Sequence, residues 1–391
     1  MSRILISILS DYLQPNFLLI KEMEGKYDKL VFITTEDMES EKKRKSHCLE
    51  KALKLPEKSV RCIEVIEDDF EKIKQTLKEE NFLMEDSFIL NLTGGTKVMP
   101  LAVYEFFTQN GYDAKFYYVP NNKTVIKDLS ANLEVELGYR LNLEEYFTLN
   151  GLRYEPSENI YPECHSKMLF NEFKQVHFVR RRHKKISDAQ NLPKAEDKVY
   201  YAGAWFEEYC YYRLKKEYQL EDSCISHGNK IYREKETQND NEIDVMFIKE
   251  NQLHIFECKV SMWGNVVDYE KVNEKAKENV KDNLEGFMYK LAAIAKDYGF
   301  RPNSYILTLH NLKGSYNDDA MENLKKRQRI LGIKDVKDRS DFTKTSPLLE
   351  FDSKPVKPVL PQEVAQRIET QLPKVELNIV GKIDLDKISK K

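Results

Sequence analysis

Short apolar runs alternate with amphipathic stretches over the first 130 or so residues. Ile4–Leu9 reads as a buried strand and Lys29–Thr34 as a second, and Val60–Ile66, Phe88–Leu92 and Ala114–Val119 follow. The spacing between them is helical: Phe70, Ile73, Leu77 and Phe82 fall on one helix face. Strands separated by helical patterns predict a parallel, doubly wound α/β sheet. From about 140 to 195 the pattern loosens around a basic run, Arg180-Arg181-Arg182-His183-Lys184-Lys185, and Pro193. This reads as a connector with some helix, its basic run either a solvated linker or a contact for a nucleic-acid backbone. A second α/β unit starts near Val199 with an aromatic amphipathic helix, passes through a β-hairpin and continues in helices to about Asp341. The tail from Ser346, with Pro355, Pro358, Pro361 and Pro373, reads as a partly extended appendage. The expected division is 1–140, 141–198, 199–345 and 346–391.

The hairpin carries the chemistry. Glu242–Ile248 and Leu253–Val260 flank the polar stretch Lys249–Gln252. A two-residue turn at Glu250-Asn251 sets 249 opposite 252, so paired residue numbers sum to 501. Asp244 then faces Glu257, with Cβ atoms about 4.5–5.5 Å apart. Alternation adds Lys259 to the same face and collects Ile243, Val245, Phe247, His254, Phe256 and Cys258 on the other. That parity turns His254 away from the carboxylates and makes it a poor candidate for a base.

Two facing carboxylates repel, and burying them needs a counter-charge. A divalent cation supplies one and orients a water for attack on phosphorus, and oxygen ligands suit Mg²⁺ or Mn²⁺. Lys259 would either stabilise developing charge or help activate the water, and the Cys258 carbonyl is a further candidate ligand.

Upstream lies Gly203-Ala204-Trp205-Phe206-Glu207-Glu208-Tyr209, on a helix expected to reach Tyr218. With the hairpin, this block resembles the nuclease half of the CRISPR ancillary nucleases, which join a CARF domain to a restriction-endonuclease-like PD-(D/E)xK domain. Their Gly-x-Trp-Leu-Glu-x-Tyr motif maps its acid onto Glu207, with Phe206 replacing the usual Leu. Glu208 is expected at a solvated position. Tyr289-Lys290-Leu291 is similar to a segment on a downstream helix of the family, Lys290 either reaching a phosphate or lying free in solvent.

In the first unit, Asn91-Leu92-Thr93-Gly94-Gly95-Thr96-Lys97 follows a strand and opens a helix containing Val98, Leu101, Ala102 and Phe106. Such a loop is either a plain turn or a seat for phosphate at a helix start, and it is neither a GxGxxG nor a P-loop pattern. It resembles the Thr-Gly-Gly-Thr-Lys signature of Rossmann-like CARF domains. Ser10, Gln14 and Asn16 are similar to the polar strand end that contacts ligand in that family. Thr34 and Thr35 are weaker candidates, their alternative role being loop capping.

The resemblance covers about 1–140 and 199–340. It implies an endonuclease of type III CRISPR antiviral defence, cleaving DNA, RNA or both and activated by a cyclic oligoadenylate such as cyclic tetra-adenylate. It also implies a homodimer gripping the two-fold ring with Ser10, Gln14, Asn16, Thr34, Thr93, Gly94, Gly95, Thr96 and Lys97. Catalysis falls to Glu207, Asp244, Glu257 and Lys259, and metal binding to Glu207, Asp244, Glu257 and Cys258. Two alternatives are a restriction- or repair-type nuclease without a second messenger and a non-catalytic sensor that binds nucleic acid.

Bulk properties narrow little. The 391 residues exceed one ordinary core, and a net charge of −3 neither requires nor excludes nucleic acid. Six scattered cysteines without a CxxC pair suggest free thiols in the cytoplasm. The apolar N-terminus is broken by Asp11, Gln14 and Pro15, which speaks against a membrane span.

Overall fold

The computed structural model describes residues 1–158, 161–173, 200–234, 236–238, 241–260, 262, 274–312 and 318–351. The basic run at 180–185, Pro193 and nearly all of the tail lie outside the described residues.

The first half runs β1 (Arg3–Ile8), α1 (Gln14–Glu22), β2 (Lys29–Thr34), α2 (Glu36–Glu39), α3 (Lys45–Ala52), β3 (Arg61–Glu64), α4 (Phe70–Glu79), β4 (Ser87–Asn91), α5 (Val98–Gln109), β5 (Asp113–Tyr118), β6 (Val125–Asp128) and β7 (Leu133–Glu136). After it come α6 (Leu143–Leu149), β8 (Leu152–Glu155), α7 (Glu163–Phe173), a π turn at Tyr200–Ala204, α8 (Trp205–Tyr218) and a 3₁₀ turn at Asp222–Cys224. The remainder is β9 (Ile225–Arg233), β10 (Asn241–Lys249), β11 (Gln252–Lys259), α9 (Glu274–Ala295), β12 (Asn303–Thr308), α10 (Asp318–Leu331), β13 (Ile333–Lys337) and α11 (Arg339–Phe342).

The fold is mixed α/β with two sheets. The first has the order β3-β2-β1-β4-β5-β6-β7; its first five strands are parallel and β6 and β7 antiparallel. The chain leaves β1 toward β2 and β3, then returns to β4 on the other side. This reversal leaves a crevice at the carboxyl ends of β1 and β4, where open α/β sheets take ligands. Each of the five expected strands forms within a residue or two of its apolar run. On α4, Ile73 and Leu77 are fully buried, as the spacing required. On α5, Leu101 is 62% exposed although its neighbours Ala102 and Phe106 are buried.

The second sheet has the order β13-β12-β11-β10-β9-β8. Its edge strand, β8, comes from 152–155, inside the stretch expected to be a connector, and pairs antiparallel with β9 from Leu152↔Arg233 to Glu155↔Lys230. Alternating Leu152 and Tyr154 is too short a run to stand out against the loop-like residues around it.

One buried cluster spans both sheets, from Leu5, Phe17 and Leu19 through Leu141 and Phe147 to Met246, Ile255 and Met288. A second holds α8 against the far face of the second sheet, and a third fills the first sheet's face under α4 and α5. The hairpin β10–β11 is therefore buried on both faces. Met246, Ile248, Leu253 and Ile255 share the charged face yet pack in the common cluster, so the charges occupy only the end far from the turn. No helix among the described residues is long and apolar enough to cross a membrane.

The Gly94-Gly95 pair owes its identity to packing. A Cβ on Gly94 would stand 1.8 Å from the Ile8 carbonyl oxygen, and Gly95 has φ +77°. Gly286, on the exposed side of α9, has no atom within 4 Å of the corresponding position. Gly94→Ala should thus cost about 1–3 kcal/mol, whereas Gly286→Ala should gain about 0.5–1 kcal/mol by helix propensity. Urea unfolding midpoints of the two variants should move in opposite directions.

Candidate active site

The hairpin closes as its sequence requires. Glu250 and Asn251 have φ of +53° and +61°, the left-handed pair that suits a two-residue connection between twisted strands. Lys249 faces Gln252 and Val245 faces Phe256, so the same register sets Asp244 opposite Glu257. Val245, Phe247, Phe256 and Cys258 pack together under α8 as expected. Ile243 does not join them; it packs with Ile231 and Met246 in the common cluster. The β9–β10 ladder is interrupted opposite Asp244, at Gly228, whose φ is +57°. Strict alternation fails past that point.

Asp244 and Glu257 are both buried, at 8% and 2% exposure. The Lys259 ammonium bridges them, 3.0 Å from Asp244 Oδ2 and 2.6 Å from Glu257 Oε1. Asp244 Oδ2 also accepts the Cys258 backbone N–H at 2.6 Å, which fixes the aspartate between the strands. Glu257 Oε1 is buried with the Lys259 ammonium as its counter-charge. Lys290, half-exposed on α9, reaches within 3.6 Å of Glu257 Oε2. The Lys259 ammonium lies 5.2 Å from the centre of the Phe287 ring on the same helix. Both reach the site because α9 packs across the hairpin.

Burial raises the Asp244 carboxyl above its usual range, with Lys259 opposing. The Lys259 ammonium is held charged, above its ordinary value, because Asp244 and Glu257 outweigh its desolvation. Glu207, half-buried on α8, is pushed up to about 9 by burial and then by the nearby Asp244 charge. The helix acid thus sits in the field of the hairpin carboxylates. Among the described residues, however, no three His, Cys, Asp or Glu side chains are gathered tightly enough to form a ready metal cage. Lys259 supplies the counter-charge that the sequence assigned to a cation. The Cys258 thiol lies in the apolar cluster beside Cys210 and is raised well above its ordinary value by burial, leaving only its carbonyl as a candidate ligand.

Glu208 is not solvated. It is 3% exposed and accepts a hydrogen bond from the Tyr200 hydroxyl at 2.7 Å, a partner provided by the π turn that precedes α8. His254 stacks on Phe247 and Tyr305, and burial pushes its imidazole down to about 3. His227 is similarly lowered to about 4 by burial.

At the crevice of the first sheet, the close approach of Gly94 to Ile8 sets the Thr93–Lys97 loop against the end of β1, which leads into Ser10. Ser10 is half-buried, its hydroxyl donating to the Tyr12 carbonyl at 3.3 Å, and Lys97 is exposed at the start of α5. The Thr93 hydroxyl donates to Asn91 Oδ1 at 2.6 Å and accepts the Val119 N–H at 2.8 Å, and Thr96 donates to the Glu67 carbonyl at 2.7 Å. Asn16 is fully buried, bonding Ser7 Oγ at 2.9 Å and the Ile8 carbonyl at 2.7 Å. It shapes the strand end and is not presented to the crevice. Thr34 is buried and donates to Glu39 Oε1 at 2.7 Å, while Thr35 caps α2 by accepting the Met38 N–H at 3.3 Å. Gln14 points elsewhere, its amide donating to the Asn251 carbonyl in the hairpin turn.

The raised Glu207 has a measurable consequence. An acid that keeps its proton in the folded protein to about 9 but loses it near 4.5 when unfolded makes stability fall as pH rises between those values. The difference in unfolding midpoint between wild type and Glu207→Gln should therefore change steadily from pH 5 to 9, in favour of the variant at high pH. The buried histidines act with the opposite sign, losing stability below about 6.5, but they are common to both proteins and drop out of the difference.

Comparison with known proteins agrees with this two-part layout. The model of the Card1 CARF domain matches residues 4–146, and that of the Card1-like endonuclease domain matches 194–345. None of the curated protein sequences is detectably similar. Among solved structures, Can2 from Sulfobacillus thermosulfidooxidans in complex with cyclic tetra-adenylate is 19% identical, with a TM-score of 0.60 over 87% of this chain and 97% of that one. Protein VC1899 from Vibrio cholerae is 16% identical, with a TM-score of 0.61 over 87% and 94%. A type III CRISPR defence DNA nuclease activated by cyclic oligoadenylate is 17% identical, with a TM-score of 0.53 over 84% of this chain and 52% of its own length. With a CARF half followed by an endonuclease half, both of the Card1 type, the chain belongs to the Card1-like family of CARF–endonuclease proteins.

Proposed function

We propose that the chain is a metal-dependent endonuclease of the PD-(D/E)xK type, acting on DNA, RNA or both and switched on by a cyclic oligoadenylate. The observation that carries the nuclease reading is the meeting of Asp244, Glu257 and Lys259 at one buried strand end, with Lys259 within 3.0 Å of both carboxylates. A purely structural ion pair has no need of two buried acids, a third raised acid on α8 and a second lysine from α9.

The donor chemistry fits a divalent cation. Asp244 and Glu257 are buried side by side with Lys259 as their shared counter-charge, and Glu207 is pushed up to about 9 by burial and its acidic neighbour. Glu207, Asp244, Glu257 and the Cys258 carbonyl would hold Mn²⁺ or Mg²⁺, which when bound polarises a phosphodiester and acidifies a water. Lys259 then turns its charge toward the phosphate, and Lys290 offers a second cation at the rim. Both stabilise the extra negative charge that develops during attack.

The activator reading rests on the CARF match and on the likeness to Can2, whose structure holds cyclic tetra-adenylate. Two loops meet at the crevice of the first sheet, offering Ser10, Thr93 and Lys97. A ring of two-fold symmetry is matched by the same residues from two copies, so the working form is a homodimer.

Cleavage of labelled DNA and RNA should require Mn²⁺ or Mg²⁺ and rise on addition of cyclic tetra-adenylate. Lys259→Ala should lower the rate about 10²–10³-fold, and Asp244→Asn and Glu257→Gln at least as much. Equal rates with and without the nucleotide would favour a nuclease without a second messenger, and undiminished cleavage by Glu257→Gln would remove the site from the chemistry. Apart from activity, Mn²⁺ should raise the thermal unfolding midpoint of the wild type and not of the Asp244→Asn protein.

A further inference from the structure

Hairpin turns ordinarily lie in solvent, but this one is buried. Asn251 is 1% exposed, and its side chain is spent on the segment that follows β7. Its Oδ1 accepts the Leu141 N–H at 2.8 Å and its Nδ2 donates to the Tyr139 carbonyl at 3.1 Å. The Asn251 carbonyl accepts from the Gln14 amide, at the head of α1. The next residue is held in the same way: Gln252 Nε2 donates to the Asn122 carbonyl at 2.9 Å, and its Oε1 accepts from Asn303 at 3.0 Å.

Both anchors start from the crevice at the switch point of the first sheet. Gln14 ends the loop that leaves β1. Thr93, in the Gly-Gly loop, holds the Val119 N–H, and Val119 is three residues before Asn122, which in turn donates to the Phe300 carbonyl at 3.3 Å. The loop that leaves β1 thus bonds Asn251 directly, and the Gly-Gly loop connects to Gln252, the first residue of β11, by way of Val119 and Asn122. Beyond the turn, β10 and β11 run as internal strands, paired with each other and with β9 and β12. From Asn251 to Glu257 is roughly 20 Å of strand. A ladder bonded on both sides resists fraying from the turn as far as Val245 and Phe256, the residues adjoining Asp244 and Glu257, and so offers a stiff link between the turn and the carboxylates.

We propose that the Glu250-Asn251 turn is the point at which the sensing half acts on the cleavage centre, with Asn251 as the positioning residue that couples them. This rests on the reading of the chain as an oligoadenylate-activated nuclease. Energetically, the ligand shifts the hairpin only as far as it binds one turn position better than another.

The test uses the full-length chain and Asn251→Gly, which keeps the positive φ of the turn and deletes only the side-chain bonds. Asn251→Asp serves as a second variant that retains the acceptor for Leu141. Cyclic tetra-adenylate affinity, the ratio of stimulated to unstimulated cleavage, and amide hydrogen exchange across 245–256 with and without nucleotide are measured for each. Asn251→Gly should bind the nucleotide within about twofold of wild type, while its stimulation ratio falls at least tenfold and its hairpin amides stop responding. The aspartate variant should fall between the two. If the wild type is stimulated and Asn251→Gly keeps its ratio, or loses ratio and nucleotide affinity together, the coupling role is overturned. A wild type whose cleavage ignores the nucleotide overturns the activator reading instead, and hairpin amides that then also ignore bound nucleotide overturn the coupling with it.

Discussion

Two carboxylates buried across a strand pair define what this chain can be. Asp244 and Glu257 repel each other, and neither tolerates loss of water without compensation. The structure answers with the Lys259 ammonium between them, a backbone N–H from Cys258 on Asp244 and Lys290 from α9 near Glu257. Around that knot the other elements have fixed places. Helix α8 brings Glu207 from one side, α9 crosses the other, and β9 and β12 flank the hairpin so that neither of its strands is an edge. The charge balance of the cluster therefore rests on a few groups drawn from three different elements.

The parts legible from sequence follow from local periodicity. The sum-of-501 register came from the turn pair Glu250-Asn251, and a slip of one residue would put Phe247 and Phe256 on opposite faces. The strands of the first sheet were visible as apolar runs, and α8 ended at Tyr218 as its amphipathic pattern indicated. The Gly94-Gly95 signal was also local, although its physical cause is the neighbouring Ile8 carbonyl, which lies in a strand some 85 residues earlier in the chain.

The parts that were not legible depend on residues distant in sequence or on backbone irregularity. Ile243 changes side because Gly228, on the adjacent strand, adopts a left-handed conformation where the ladder lapses. Glu208 is buried because Tyr200 folds back to meet it, and a helix position cannot advertise such a partner. Asn251 and Gln252 read as ordinary turn residues, and only the packing of one half on the other gives them four hydrogen bonds to the preceding half. Lys290 was ambiguous for the same reason: its distance to Glu257 depends on how α9 crosses the hairpin.

The edge strand β8 has a consequence for how the molecule can be divided. It precedes α8 by some fifty residues yet completes the sheet that holds the β10–β11 hairpin. A nuclease fragment excised to begin near residue 199 would leave β9 with a row of unpaired backbone donors and acceptors, an invitation to pair with the same edge of another fragment. Excision upstream of Leu152 would keep that edge sealed, but would still strip the buried turn of its partners at Tyr139 and Leu141. The endonuclease half thus takes an edge strand and the partners of its buried turn from the residues that precede it.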